Sequence, residues 1–238
     1  MNESVPVAAV VGAGPGLGAS LCRLLTSKGW TVGALCRKPA ADWATDPSWC
    51  AANGRLIPLA CDVTDQGSVE RAFDKLETAA GDVSTLIYNA AVLARGPFLD
   101  LTLAQFEQSW QTIARGAFLC ARRALPPMLK AQRGTLVFTG ATASIRGDVG
   151  FGAFAPAKFA LRGLAQSLAR EFGPRGIHVA HVLIDGLIWC PQTRERFDPP
   201  RKSCIEPDAI ANAYWNLISQ DRSARTHELD LRTESEKF

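Results

Sequence analysis

Seven residues, Gly12-Ala13-Gly14-Pro15-Gly16-Leu17-Gly18, stand between a short apolar run, Val7–Val11, and a helical pattern that begins at once. Glycine permits backbone turns closed to other residues and lets another group approach the main chain. A helix starting directly after such a turn offers free N–H groups and a partial positive charge to an anion. Two frames fit. Gly14-x-Gly16-x-x-Ala19 matches the general dinucleotide fingerprint, and Gly12-x-x-x-Gly16-x-Gly18 matches a variant with wider spacing. A tight strand-to-helix turn also uses glycine. The position directly after the first strand favours a pyrophosphate cradle.

The rest of the chain alternates in the same way. Val7–Val11, Thr31–Cys36, Arg55–Ala60, Val83–Tyr88, Thr135–Thr139 and Ile177–Ile184 are apolar without strict alternation, as strands covered on both faces are. Leu17, Leu21, Leu24 and Leu25 share a helix face that stops at Gly29. Leu161, Leu164, Leu168 and Phe172 share another before Gly173-Pro174. A long helix is expected from Thr102 to about Ala131, interrupted by Gly116 and bent near Pro126-Pro127. Residues 185–207 hold Pro191, Pro199, Pro200 and Pro207 and are expected to be a long loop or lid. A helix from Pro207 to Gln220 and a strand at His227–Leu231 would complete the sheet. This order predicts one doubly wound α/β domain over residues 1–238, a Rossmann-like parallel sheet with helices on both faces.

Composition narrows the class further. The 238 residues are 47% hydrophobic and 21% charged, which excludes a disordered chain, a collagen-like fibre and a coiled-coil rod. No apolar run approaches the ~20 residues of a membrane span. Lys and Arg exceed Asp and Glu by only 26 to 23, and pairs such as Arg122-Arg123 and Arg201-Lys202 suit solvated faces better than a nucleic-acid stripe. Met1-Asn2-Glu3-Ser4 carries an acid where a signal peptide carries positive charge, so a cytoplasmic protein is expected. Seven cysteines, with no CxxC pair and no histidine at ligand spacing, point to small buried thiols rather than a metal site or disulfides.

Further along the chain, other segments agree with the wider glycine frame. They are Cys61-Asp62-Val63-Thr64-Asp65, Asn89-Ala90-Ala91, Gly116-Ala117-Phe118, Phe154-Ala155-Pro156-Ala157-Lys158 and Asp185-Gly186. In order and spacing this set resembles the short-chain dehydrogenase/reductase family over residues 5–231. The resemblance implies an oxidoreductase that moves a hydride between a nicotinamide dinucleotide and a small carbonyl, imine or similar substrate. It implies cofactor contacts from Gly12, Gly14, Gly16, Leu17, Gly18, Asp62, Val63, Asn89, Ala90, Lys158 and Gly186. It also implies a homodimer or homotetramer paired through the two long helices, with the surface around Ala155, Ala157, Phe159 and Ala160 suited to that packing.

Cofactor choice follows from the end of the second strand, Leu35-Cys36-Arg37-Lys38, which carries no acid. A carboxylate there accepts bonds from a ribose 2′-hydroxyl and repels a 2′-phosphate. Arg37 offers a planar fork and Lys38 a point charge to that phosphate, so NADP(H) is expected ahead of NAD(H). The alternative is that both side chains are simply solvated.

The reaction positions depart from the family pattern. The family pairs a lysine with a tyrosine four residues earlier, and Lys158 is preceded by Phe154. The family serine falls on Ala141 and its asparagine on Ile113. Three of four roles thus lack a polar atom, with Phe154, Ala141, Thr142 and Asp185 left around the substrate. Asp185 either supplies a proton or caps the segment after it, and Thr142 is expected to point elsewhere than Ala141. A lost general acid costs ~10²–10⁴-fold, so ordinary ketones should be poor substrates. A protein that binds NADP(H) as a sensor or scaffold, without turnover, is the alternative.

Overall fold

The computed structural model describes residues 5–234, so Met1–Ser4 lie outside the described residues. Seven parallel strands form one sheet in the order β3-β2-β1-β4-β5-β6-β9. They are β1 (Val7–Val11), β2 (Thr31–Cys36), β3 (Arg55–Ala60), β4 (Thr85–Tyr88), β5 (Gly134–Thr139), β6 (Ile177–Asp185) and β9 (Glu228–Arg232). The chain starts in the middle of the sheet, winds out to β3, then returns past β1 to build the other half. Strands β1, β4, β5 and β6 are buried along their whole length, which explains why their sequences lack an in–out alternation.

Two cores result, one on each face. Helices α1 (Leu17–Ser27) and α7 (Pro207–Ile218) cover Ala8, Val10, Val137 and Val182 with Leu21, Leu25, Ile210 and Tyr214. Helices α2 (Gln66–Ala80), α4 (Gly116–Ala131) and α5 (Phe154–Phe172) cover Val11, Leu86, Phe138 and Val179 with Phe73, Ala121 and Leu161. Asp65 starts α2 by accepting a bond from the Gly67 N–H, and a Thr102–Gln105 capping box starts α3 (Leu103–Trp110).

Three sequence expectations need correction. The helix expected over 102–131 is broken at Gln111–Arg115, which winds as a π-helix, while α4 starts at Gly116 and runs through both prolines. The cause lies beneath it. Fully buried Tyr88 donates its hydroxyl hydrogen to the Thr112 carbonyl, which re-aims the backbone at that turn. A Cβ on Gly116 would stand 2.3 Å from that same hydroxyl, so only glycine fits. The segment expected as a loop over 185–207 carries structure: β7 (Leu187–Ile188) pairs with β8 (Cys204–Ile205), and α6 (Pro191–Phe197) lies between them. Pro191 begins that helix rather than preventing it, since the first helical turn needs no N–H from it. Finally, Arg123 is not merely solvated. It holds Glu77 at 2.6 Å and Asp74 at 2.7 Å, joining α4 to α2.

All seven cysteines are free thiols, with Cys22, Cys61, Cys120 and Cys204 buried. Burial pushes the Cys61 thiol up to about 12, helped by the Asp62 carboxylate next to it. Among the described residues no helix is long and apolar enough to cross a membrane, and no cluster of metal-ligating side chains occurs.

Candidate active site

The glycine turn closes the C-terminal end of β1. Gly12 has φ of 82°, and a Cβ there would stand 2.5 Å from both the Cα and the N of Ala90. The turn is tied to both neighbouring strands. Its Gly12 and Ala13 N–H groups donate to the Leu35 carbonyl at 2.8 and 3.1 Å, and Asn89 Nδ2 donates to the Gly12 carbonyl at 3.2 Å. Gly14 has open space where a side chain would project. Gly16, at φ of 106°, precedes α1, whose first turn receives no side-chain cap. Leu17 and Gly18 are buried in the first turn of that helix. The cradle is therefore built from main chain, open on one side, and faced by uncapped N–H groups. That arrangement fits a dinucleotide pyrophosphate.

The exits of β2 and β3 lie side by side, joined by Cys61 N–H donating to the Cys36 carbonyl at 2.9 Å. Arg37 and Lys38 are exposed there. Asp62 accepts bonds from the Thr64 N–H and hydroxyl at 2.9 and 2.8 Å. Those bonds hold its carboxyl below the usual range, and the positive charge of Arg37 adds to the effect. Val63, buried, follows it against the position of Gly116.

Across the sheet, the candidate reaction corner is formed by the ends of β5 and β6 and the start of α5. Lys158 is 3% exposed and donates to the Thr139 carbonyl at 2.7 Å. Desolvation pulls its amine down to about 7. The Phe154 ring, one turn back, lies 5.5 Å from the Lys158 nitrogen and 6.2 Å from the Phe151 ring. Ala141 follows β5 and packs against the same core, and Ile113 is fully buried in the π-helical turn. The four positions expected to carry or replace the family tetrad are thus gathered on one face of the sheet.

Asp185 ends β6 with 3% exposure. It caps neither the following loop nor α6, whose N-terminal position is Cys190. Instead its Oδ1 accepts the Thr142 hydroxyl hydrogen, and its Oδ2 is ion-paired with Arg232 Nη1 at 2.6 Å. Thr142 therefore points at Asp185 through a bond that sequence reasoning did not foresee. Gly186, at φ of 148°, turns the chain out of the sheet, and Cys190 then packs over the phosphate turn, its Cβ 2.7 Å from where a Gly16 Cβ would be.

Two residues escaped the sequence reading. Arg232 was invisible because its role depends on β6–β9 register, which places it opposite Asp185. His181 lies beneath the corner, with Nε2 2.3 Å from the Cβ position of Gly140, so the glycine makes room for the ring. Burial pulls His181 down to about 4.

A parallel sheet with an open main-chain glycine turn at its carboxyl edge and a helical lysine beside strand five is the architecture of a Rossmann-like α/β protein. The family model for short chain dehydrogenase matches residues 6–193, and the chain belongs to that family. It is 30% identical over 226 residues to a 3-alpha-(or 20-beta)-hydroxysteroid dehydrogenase of Mycobacterium bovis, covering 92% of this chain and 85% of that protein. It is 29% identical to the 3-oxoacyl-acyl-carrier-protein reductase FabG of Escherichia coli, covering 96% of each. A crystal structure of a short-chain dehydrogenase from Rhodopseudomonas palustris superposes with a TM-score of 0.81 at 34% identity, covering 95% of this chain and 98% of that one.

Proposed function

We propose that this chain is an NADP(H)-dependent oxidoreductase moving a hydride to or from a small carbonyl, imine or related carbon, through a site that has lost its phenolic acid. The observation that carries the reading is the open main-chain cradle of Gly12–Gly18 in line with exposed Arg37 and Lys38. The bound dinucleotide would supply or accept the hydride. The cradle N–H groups would hold its pyrophosphate, Arg37 and Lys38 the 2′-phosphate, and Asp62 and Val63 the adenine end. Asn89 and Ala90 would line its ribose side, and Gly186 would let the main chain approach the nicotinamide. Lys158 would hold the nicotinamide ribose hydroxyls.

Phe154 and Ala141 give the reacting carbon an apolar wall with no proton to donate, and Ile113, buried behind, adds no polar atom. A proton must then come from water or the substrate itself, which suits a preformed iminium better than a ketone. The same apolar wall supports a second reading, binding of NADP(H) without turnover. Titration with NADPH followed by steady-state turnover on carbonyl and imine panels separates them. Failure to bind either dinucleotide would end both.

A homodimer or homotetramer is the proposed assembly. Ala155 and Ala157, expected on its surface, are buried within the protein. Phe159, expected there too, is exposed, and Leu103, Phe106, Trp110 and Phe118 are the other exposed large apolar side chains on these helices. Seven free thiols suit a reducing compartment such as the cytoplasm.

A further inference from the structure

The Thr142–Asp185–Arg232 chain has a direction. A hydroxyl carries one hydrogen and two lone pairs, a carboxylate only accepts, and a guanidinium only donates. Arg232 Nη1 lies 2.6 Å from Asp185 Oδ2, while its Nε and Nη2 hold Asp230 at 2.9 and 2.7 Å. Asp185 Oδ1 takes the Thr142 hydrogen. Asp185 is buried behind, with its side chain 5% exposed, and Thr142 is the half-exposed end. The one hydrogen of Thr142 is therefore committed inward, and its oxygen is left as an acceptor. Ala141, which precedes it, and Phe154 and Ile113 have no polar side-chain atom.

Resting on the reading that this corner receives the reacting end of a substrate, we propose that Thr142 sets specificity. The Thr142–Asp185 hydrogen bond, with the Asp185 charge held by its ion pair to Arg232, makes the site select a ligand whose reacting end donates a hydrogen bond, a hydroxyl or a protonated imine nitrogen, over a bare carbonyl. A carbonyl oxygen would face the Thr142 lone pairs, acceptor against acceptor, and lose its water without a replacement bond. A hydroxyl or iminium N–H meets the same oxygen correctly.

The direction of the chain can be reversed by one atom. In Asp185→Asn, the positive guanidinium of Arg232 lies against the Oδ2 position and repels an amide NH₂, so the new amide oxygen faces it. The amide NH₂ then faces Thr142 and donates to its oxygen. The Thr142 hydrogen is released toward the site, and the preference should invert in favour of carbonyls.

The probes are 1-methylcyclohexanol, whose carbinol carbon has no hydrogen to lose, and cyclohexanone, each added to protein saturated with NADP⁺. Neither can react, and affinities are read by ligand-observed NMR. The wild type should bind the alcohol about tenfold or more tighter than the ketone. Thr142→Val should erase that difference, and Asp185→Asn should reverse it. Thermal melting follows each variant. If Asp185→Asn does not fold, the wild-type ratio and Thr142→Val decide. A ketone bound as tightly as the alcohol, an unchanged ratio in Thr142→Val or in folded Asp185→Asn, or failure of both probes to bind would overturn the assignment. Failure to bind NADP⁺ would instead sink the oxidoreductase reading, and the probe ratio on free protein would then decide this one.

Discussion

Phe154 presents its ring to Lys158, centroid to nitrogen 5.5 Å, at the spacing of one helical turn. The lysine that a phenol partners elsewhere in the family here meets an aromatic face with no hydroxyl. Its hydrogen bond goes to the Thr139 carbonyl instead. Restoring the phenol is therefore a direct test. Phe154→Tyr with Ala141→Ser should raise turnover of simple ketones above a wild-type rate near background. The gain should fall mainly in kcat, because both groups oppose charge that develops in the transition state. Each hydroxyl left unbonded would cost ~1–3 kcal/mol of stability, so melting curves belong beside the kinetics. Vigorous ketone reduction by the wild type would show the acid to be elsewhere.

Cofactor choice should follow Arg37 and Lys38. Tryptophan fluorescence titration should show NADPH binding more tightly than NADH. Arg37→Ala should weaken NADPH by roughly 10–100-fold, the range of one charge-assisted hydrogen bond, and leave NADH nearly unchanged. Equal affinity of the wild type for both dinucleotides would refute it.

Acid should destabilise the fold through its buried histidines. Burial lowers His178, and it pulls His181 down to about 4 from an ordinary 6.5. The unfolded chain then binds more protons than the folded one between those limits. Stability present above about pH 6.5 is lost as pH falls toward 4, with a slope of at most ~1.4 kcal/mol per pH unit for His181. Urea denaturation at pH 7 and pH 5 should show the drop, and His181→Gln should flatten it. An identical pH dependence in wild type and variant would disprove the role of His181.

Assembly should depend on the aromatic side chains standing out from α3, α4 and α5. Phe118 is 49% and Phe159 45% exposed, large apolar faces for a chain to leave in water. Sedimentation should find a dimer or tetramer at micromolar concentration, and Phe118→Asp with Phe159→Asp should shift it to monomer. A wild-type monomer would refute the pairing.

Strands β1, β2 and β3 were legible to the residue, because short apolar runs between glycine turns have few other ways to be buried. The cradle was legible for a related reason: its glycines answer backbone constraints that act within a few residues. Two features were not. Pro191 looks like a breaker in a proline-rich stretch, yet at a helix start it costs nothing, so α6 was hidden. The partnership of Asp185 with Arg232 joins residues 47 positions apart through strand register. No local pattern records such a pairing.

Tyr88 and Gly116 are, in effect, a tenon and its mortise. The hydroxyl occupies the volume that any side chain at 116 would need, and its hydrogen bond fastens Thr112 above it. Neither position can drift alone: a methyl at 116 displaces the phenol, and a phenylalanine at 88 leaves the mortise with nothing to tie. Substitutions here should be tolerated in pairs or not at all. The turn that carries Ile113 is thereby anchored to the end of β4, on the same strand exit that leads into Asn89 and its bond to the Gly12 carbonyl.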